Sequence, residues 1–465
     1  MREKIQLGVL TAVIALLAIG LTAWAAPPPS GEAEPADFDI YRTGTPDYDL
    51  VLRSYGEVVP RVLEHLRWPG GPRADGYYWL PIEEDERDVV HDVIEQLQQM
   101  MGEDFPIAVS VVKVEPAPID EAAQAALEAD VAEFFDEHLV YQTGTPNLDL
   151  VREFHDESRE FRTNLKYWSE FAMTGYTVDG YYLLMIKEEN WDVIHHTVYE
   201  LQQMMGDDFP VTVMISDFTF PERFTTAANT ETGDGTIATT SASNDVFGGH
   251  RTTIQTAPFV YDRQTLAFAA IYGGEVGMVL SGHYLYEIMP VGARVYSPTS
   301  YYPFRTNQIG VIHHVACDCS ETSYMSPGWS GPDRIKAGVQ HYGSHLPVWS
   351  WEEPELGTYV YKTGRTTGTT LGQVVALVNV ESLCGGWLYD QFLAVLDSDD
   401  GDSGAPVYWV QVVHYPIPNG WWPPDPEFAF LRGVLFAGGS DVSIFSPMDL
   451  VLDDLDVIPL PGPFG

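Results

Sequence analysis

Basic residues are scarce in this chain: 24 Lys and Arg stand against 67 Asp and Glu, a formal net charge of -43, and only six are Lys (Lys4, Lys113, Lys166, Lys187, Lys336 and Lys362). That scarcity argues against a nucleic-acid partner, because phosphate binding needs a basic patch. A surface so acidic suits an exported protein that stays soluble at high salt or low pH, where self-repulsion is screened or titrated away. Cysteine is scarcer still, with Cys317, Cys319 and Cys384 alone. Three thiols without a C-x-x-C partner exclude a disulfide scaffold and a Cys-only zinc site. They fit an oxidising compartment in which one of the close pair bridges to Cys384 and the other is free. Beyond Trp24 no apolar run is long enough to span a bilayer.

What is present is globular. Hydrophobic residues make up 45% and charged residues 20%, enough apolar surface to offset the entropy of ordering most of the chain. At 465 residues the expectation is roughly two to four folded units. Arg2 and Lys4 precede an apolar run from Ile5 to Trp24, and Ala23-Trp24-Ala25 matches a small-x-small cleavage pattern before Pro27-Pro28-Pro29. Residues 1–26 therefore read as an export signal and the protein as secreted. Uncleaved, the same run would be a membrane anchor.

An internal repeat fills much of the first half. Tyr41-Arg-Thr-Gly-Thr-Pro-Asp-Tyr-Asp-Leu-Val51 returns as Tyr141-Gln-Thr-Gly-Thr-Pro-Asn-Leu-Asp-Leu-Val151, Asp75-Gly-Tyr-Tyr78 as Asp179-Gly-Tyr-Tyr182, and Leu97-Gln-Gln-Met-Met-Gly102 as Leu201-Gln-Gln-Met-Met-Gly206. Each copy predicts a β-α-β unit. In the first, a strand runs from Tyr77 to Ile82. A helix follows, carrying Val89, Val90, Val93, Ile94, Leu97 and Met101 on one face with Gly102 as its C-terminal cap, and a second strand spans Ile107 to Val114. Met100, Met101, Met204 and Met205 are expected to pack in cores rather than hold a cofactor. His195 and His196, adjacent on a helix, diverge and are expected at the surface rather than on a metal. The predicted architecture is multidomain: α/β repeat modules at 38–116 and 134–220, a small polar linker at 222–247, and an all-β domain at 248–460, where short Val-, Tyr- and Thr-rich runs alternate with Gly and Pro.

Chemistry concentrates in the last of these. The string Asp400-Gly-Asp-Ser-Gly-Ala-Pro-Val407, preceded by Tyr361-Lys-Thr-Gly-Arg-Thr-Thr-Gly-Thr-Thr-Leu-Gly-Gln-Val374 and followed by Gly433-Val-Leu-Phe-Ala-Gly-Gly-Ser440, resembles the chymotrypsin-like serine peptidases, in particular their secreted, streptogrisin-like bacterial branch. The resemblance covers roughly residues 248–460 and implies a double β-barrel that cleaves peptide bonds through an acyl-enzyme. By it, Ser403 is the nucleophile, and the N–H groups of Gly401 and Ser403 form the oxyanion hole. Gly277-Met-Val-Leu-Ser-Gly-His283 matches the family's turn before the general base, which makes His283 that base. Tyr284 stands where many relatives carry Cys. His250, His313, His314, His341, His345 and His414 lack such a context.

The third member must be a carboxylate that orients the imidazole. In Cys317-Asp-Cys-Ser-Glu-Thr-Ser-Tyr-Met325, Asp318 has the family's residue type and is preferred, while Glu321 has the better following pattern. Asp397, six residues before the nucleophile, stands where animal relatives place the base of the primary pocket, implying a preference for basic side chains. Ala437, Gly438 and Gly439 are expected along the substrate backbone. No metal or cofactor is expected: Asp397, Asp399 and Gly401 do not fit the EF-hand order. A Gly-x-Ser-x-Gly elbow is absent, which disfavours an α/β-hydrolase. The repeats resemble the propeptides of such enzymes, docking on the peptidase domain of a zymogen with the linker cut on maturation. The alternative is a decayed, peptidase-like binding protein whose N-terminal modules hold a surface or polymer.

Overall fold

The structure is a computed structural model that describes residues 39–73, 75–157, 167, 170–188, 190–215, 245–257, 260–284, 287–297, 308–328, 334–382, 386–414, 426–439 and 441–462. The expected signal segment, most of the expected linker, Ser440 and Cys384 lie outside these residues. The described chain is mostly β-sheet, in sheets of four, fourteen and eight strands with a separate two-stranded ribbon. Among the described residues no helix is long and apolar enough to cross a membrane.

Both repeated sequences fold on one plan. In the first, strand Asp39–Thr43, helix Tyr48–Leu63, strand Tyr78–Ile82, helix Val90–Met101 and strand Ile107–Val111 follow in order. The last strand pairs antiparallel with the first and parallel with the second. In the second copy Leu139–Thr143, Leu148–Glu157, Tyr182–Ile186, Trp191–Met205 and Val211–Ile215 repeat the arrangement. The Thr-Gly-Thr-Pro string recurs for a physical reason. Gly44 and Gly144 adopt φ of +74° and +78°, and a Cβ on either would overlap the carbonyls of Asp104 and Phe105, or of Asp208 and Phe209. Asp47 and Asn147 then cap the helices, accepting from Leu50 N at 2.9 Å and Leu150 N at 3.1 Å.

Several expectations need correction. Each repeat opens with a strand and a helix that the β-α-β reading left out. The predicted strand Ile107–Val114 is two: Lys113–Pro116 leaves the repeat and pairs with Pro406–His414 of the C-terminal half. Met100 and Met204 are 41% and 44% exposed, so only Met101 and Met205 of the four pack on the helix undersides. His195 is exposed as expected, and His196 is half-buried against Glu200 at 3.1 Å.

From Val246 onward two large sheets carry the chain. The eight-stranded sheet takes Arg251–Ala257 through Thr322–Pro327 and closes on Ile458–Pro459, while most later strands join the fourteen-stranded sheet. The second repeat enters that larger sheet directly, since Phe171–Thr177 pairs antiparallel with Gly368–Ser382. The first repeat docks through Trp68, Trp79 and Val112, buried with Trp349, Val413, Phe428 and Phe430 in one apolar cluster.

Candidate active site

The loop before strand Pro406–His414 is built around a buried carboxylate. Asp402 is fully buried and pairs with the equally buried Lys362 at 2.8 Å. Its oxygens also accept from Thr366 N at 2.6 Å, Thr367 Oγ1 at 2.6 Å, Asp399 N at 3.3 Å and Thr367 N at 3.4 Å. Gly364 permits this approach, for a Cβ there would overlap the carboxylate. The Lys362–Thr367 hairpin is thereby a clamp on the residue preceding Ser403. Lys362 carries a role that motif reading missed, although the rarity of Lys in this sequence marked it.

The clamp fixes the neighbouring amides. From Asp399 to Ala405, Asp399 N donates to its Asp402 acceptor, Asp400 N to Asp399 Oδ1, Asp402 N to Asp399 O, Gly404 N to Leu435 O and Ala405 N to Asp402 O. Among the described residues, the N–H groups of Gly401 and Ser403 have no acceptor. Gly401 at φ +94° and Gly404 at φ +85° supply the turn. Ser403 is half-buried.

His283 follows strand Glu275–Ser281 and is 7% exposed. Its Nδ1 donates to Glu321 Oε1 in a short hydrogen bond and lies 2.8 Å from Ser281 Oγ, which leaves Nε2 as the basic nitrogen. Burial acts to lower the ring's pKa. The charge and hydrogen bond of Glu321, with the charge of Asp262, outweigh it and raise the pKa above the ordinary histidine value. Here the structure corrects the sequence expectation: Asp318 is exposed, and the carboxylate on His283 is that of Glu321, 1% exposed. Register places it there. Ser281 pairs with Thr322, and Gly282 N donates to Glu321 O at 2.9 Å. Ser382 Oγ donates to Glu321 Oε2 at 2.8 Å.

One strand end joins histidine and serine. The Gln264 side-chain amide donates to His283 O in a short bond, while the next residue, Thr265, donates from its N to Ser403 O at 3.0 Å and from its Oγ1 to Gly401 O at 2.9 Å. A Cβ at Gly404 would sit 3.0 Å from Ser281 N. His283, Ser403 and Gly401 are therefore brought into one neighbourhood, 120 positions apart though the first two are in sequence.

The expected pocket residues are placed less uniformly. Asp397 is exposed, and its backbone carbonyl accepts from Thr370 Oγ1 at 3.0 Å. Burial, partly offset by Lys362, raises its pKa. The inward residue is Ser398, 2% exposed, whose N donates to Gly439 O at 3.0 Å and whose Oγ a Cβ at Gly438 would overlap. Ala437 and Gly439 are half-buried and Gly438 is exposed. A charge-pairing pocket base needs a buried carboxylate, and Asp397 does not supply one. Among the described residues no group of three or more His, Cys, Asp or Glu could hold a metal ion.

No protein-family model matches the chain, and no curated protein is similar to it. Among solved structures, Thermobifida fusca protease A is similar over 47% of this chain and 100% of its own, at 18% identity and a TM-score of 0.35. Cellulomonas bogoriensis chymotrypsin covers 46% of this chain and 98% of its own, at 20% identity and a TM-score of 0.34. A glutamic-acid-specific serine protease that uses a histidine triad in substrate binding covers 46% and 100%, at 20% identity and a TM-score of 0.34. The likeness extends over about half of this chain.

Proposed function

We propose that the chain is a secreted serine endopeptidase of the chymotrypsin-like kind. In this reading Ser403 is the nucleophile, His283 the general base, and Glu321 the carboxylate that orients and charges the imidazole. The observation that carries the reading is the pair of N–H groups at Gly401 and Ser403, unclaimed among the described residues, on a loop where every neighbouring amide is already donated. Two fixed donors beside a hydroxyl form a cradle for an oxyanion.

The Ser403 hydroxyl attacks the peptide carbonyl carbon while its proton passes to Nε2 of His283 and the carbonyl electron pair moves onto oxygen, beneath the two N–H groups. Collapse of that intermediate expels the amine, which takes the proton from the imidazolium, and water repeats the sequence on the acyl-enzyme. Glu321 keeps Nδ1 protonated throughout. Peptide segments of proteins are the substrate class. Asp397 is exposed and the buried residue packed against Gly438 is Ser398, so this reading drops the preference for basic side chains first expected.

We propose further that the repeats act as propeptide-like modules on the peptidase half. The two strand pairings, Phe171–Thr177 on Gly368–Ser382 and Lys113–Pro116 on Pro406–His414, support this. The test is labelling with a fluorophosphonate probe. The wild type is expected to label, with Ser403→Ala and His283→Ala silent and His314→Ala unaffected. Equal labelling of Ser403→Ala, or none of a folded wild type, would sink the reading.

A further inference from the structure

The inference rests on the peptidase reading and concerns what holds Glu321. A glutamate has one more rotatable bond than an aspartate and loses more side-chain freedom when fixed, so a glutamate serving His283 needs a second tether. Ser382 supplies it: 7% exposed, it donates to Glu321 Oε2 while Oε1 faces His283. Ser382 ends the strand Gly368–Ser382, and residues Ala376–Val380 of that strand pair with Met173–Thr177 of the second repeat. The contact is close, for a Cβ on Gly175 would overlap the Leu377 carbonyl.

The neighbouring strand, Gly386–Val395, is clasped by the same repeat. His155, fully buried on helix Leu148–Glu157, lies 3.0 Å from Asp390 Oδ1. The next residue, Gln391, donates to Cys319 O at 3.0 Å and accepts from Ser446 Oγ at 2.7 Å, and Ser446 Oγ accepts from Glu321 N at 3.3 Å. Both strands that the second repeat grips thus contact the segment carrying Glu321, one through Ser382 and the other through Gln391.

We propose that Ser382 is a positioning residue that fixes the rotation of the Glu321 carboxylate, and that the second repeat holds Ser382 in register. The reactivity of Ser403 in the full-length chain then depends on a contact made outside the peptidase half.

The test is the rate of fluorophosphonate labelling against pH for the full-length wild type, Ser382→Ala and Ser382→Thr. Ser382→Ala is expected to label about tenfold more slowly, as loss of a hydrogen bond to a charged group implies. Its acid limb should move to lower pH, because a misdirected carboxylate no longer raises the pKa of His283. Ser382→Thr, which keeps the hydroxyl, should stay within about twofold of wild type. An acid limb that stays put or rises in Ser382→Ala overturns the proposal, and labelling of the wild type in the same experiment shows that the peptidase reading survives it. For the second repeat, Gly175→Ala should shift the limb in the same direction. If that variant does not fold, His155→Gln, which loosens the Asp390 clasp, is read instead. A wild-type profile in whichever of the two is folded refutes the repeat's part.

Discussion

Replacing Lys362 by Met tests whether the buried clamp organises the loop that carries Ser403. Lys362 and Asp402 are both within 1% of complete burial and 2.8 Å apart. Removing the ammonium leaves a carboxylate without a counter-charge, which costs about 3 to 5 kcal/mol for a buried pair. Asp402 keeps four other donors, from Thr366, Thr367 and Asp399, so the lower end applies: about 3 kcal/mol, a factor of about 150 in the folding equilibrium. Because Asp402 directly precedes Ser403, the loop should also relax, and losing the aim of an oxyanion donor slows chemistry by about a hundredfold. Urea unfolding measures the first quantity and the rate of fluorophosphonate labelling the second. Lys362→Met combined with Asp402→Asn should cost about 2 kcal/mol less than the two single changes added, because no bare charge remains. A single variant destabilised by less than about 1 kcal/mol, with wild-type labelling, would mean that the N–H groups alone hold Asp402.

Three further outcomes are expected. Glu321→Gln should slow labelling by about 10⁴, as when a triad carboxylate is neutralised, and move the acid limb to lower pH, whereas Asp318→Asn should leave both unchanged; the reverse pattern would restore Asp318 as the third member. The raised pKa of protonated His283 adds stability that is fully present below the unfolded value of about 6.5 and is lost as pH rises through the folded one. The urea midpoint should therefore fall over that window in the wild type and not in Glu321→Gln. Alkylation of the folded, unreduced chain should modify the exposed Cys319, and mapped modification at Cys317 in its place would contradict that expectation.

How much of this was legible in the sequence depended on how local each signal was. Helix Val90–Met101 was readable because Val90, Val93, Ile94 and Leu97 bury one face and Gly102 closes it at φ +106°. Helix Glu121–His138 was not, since it buries only Leu127 and Phe134 and so has no apolar stripe. The opening strand and helix of each repeat were hidden inside the repeated string itself, where Asp47 and Asn147 are caps rather than mere points of similarity. Strand Lys113–Pro116 continues the apolar run before it in sequence and departs only because its partner, Pro406–His414, lies nearly three hundred residues away. Local periodicity has no means of registering such a partner.

The site divides the same way. Ser403, Gly401 and His283 sit in strings legible through their resemblance to the chymotrypsin-like peptidases, and close backbone approach at Gly404 and Gly282 calls for small residues beside them. The carboxylate could not be chosen by residue type, since that favoured Asp318. Its choice follows from register: pairing of Ser281 with Thr322 sets Glu321 beside Gly282, where a Cβ would come within 2.8 Å of Thr322 N. The small and apolar residues that follow Glu321 were the one linear sign of that strand. Asp318, three positions earlier, lies before the strand begins and faces solvent. From position 321 the glutamate reaches His283 with Oε1, and the hydroxyl of Ser382 holds its other oxygen. The departure from aspartate and the unpredicted serine are two parts of one steric solution.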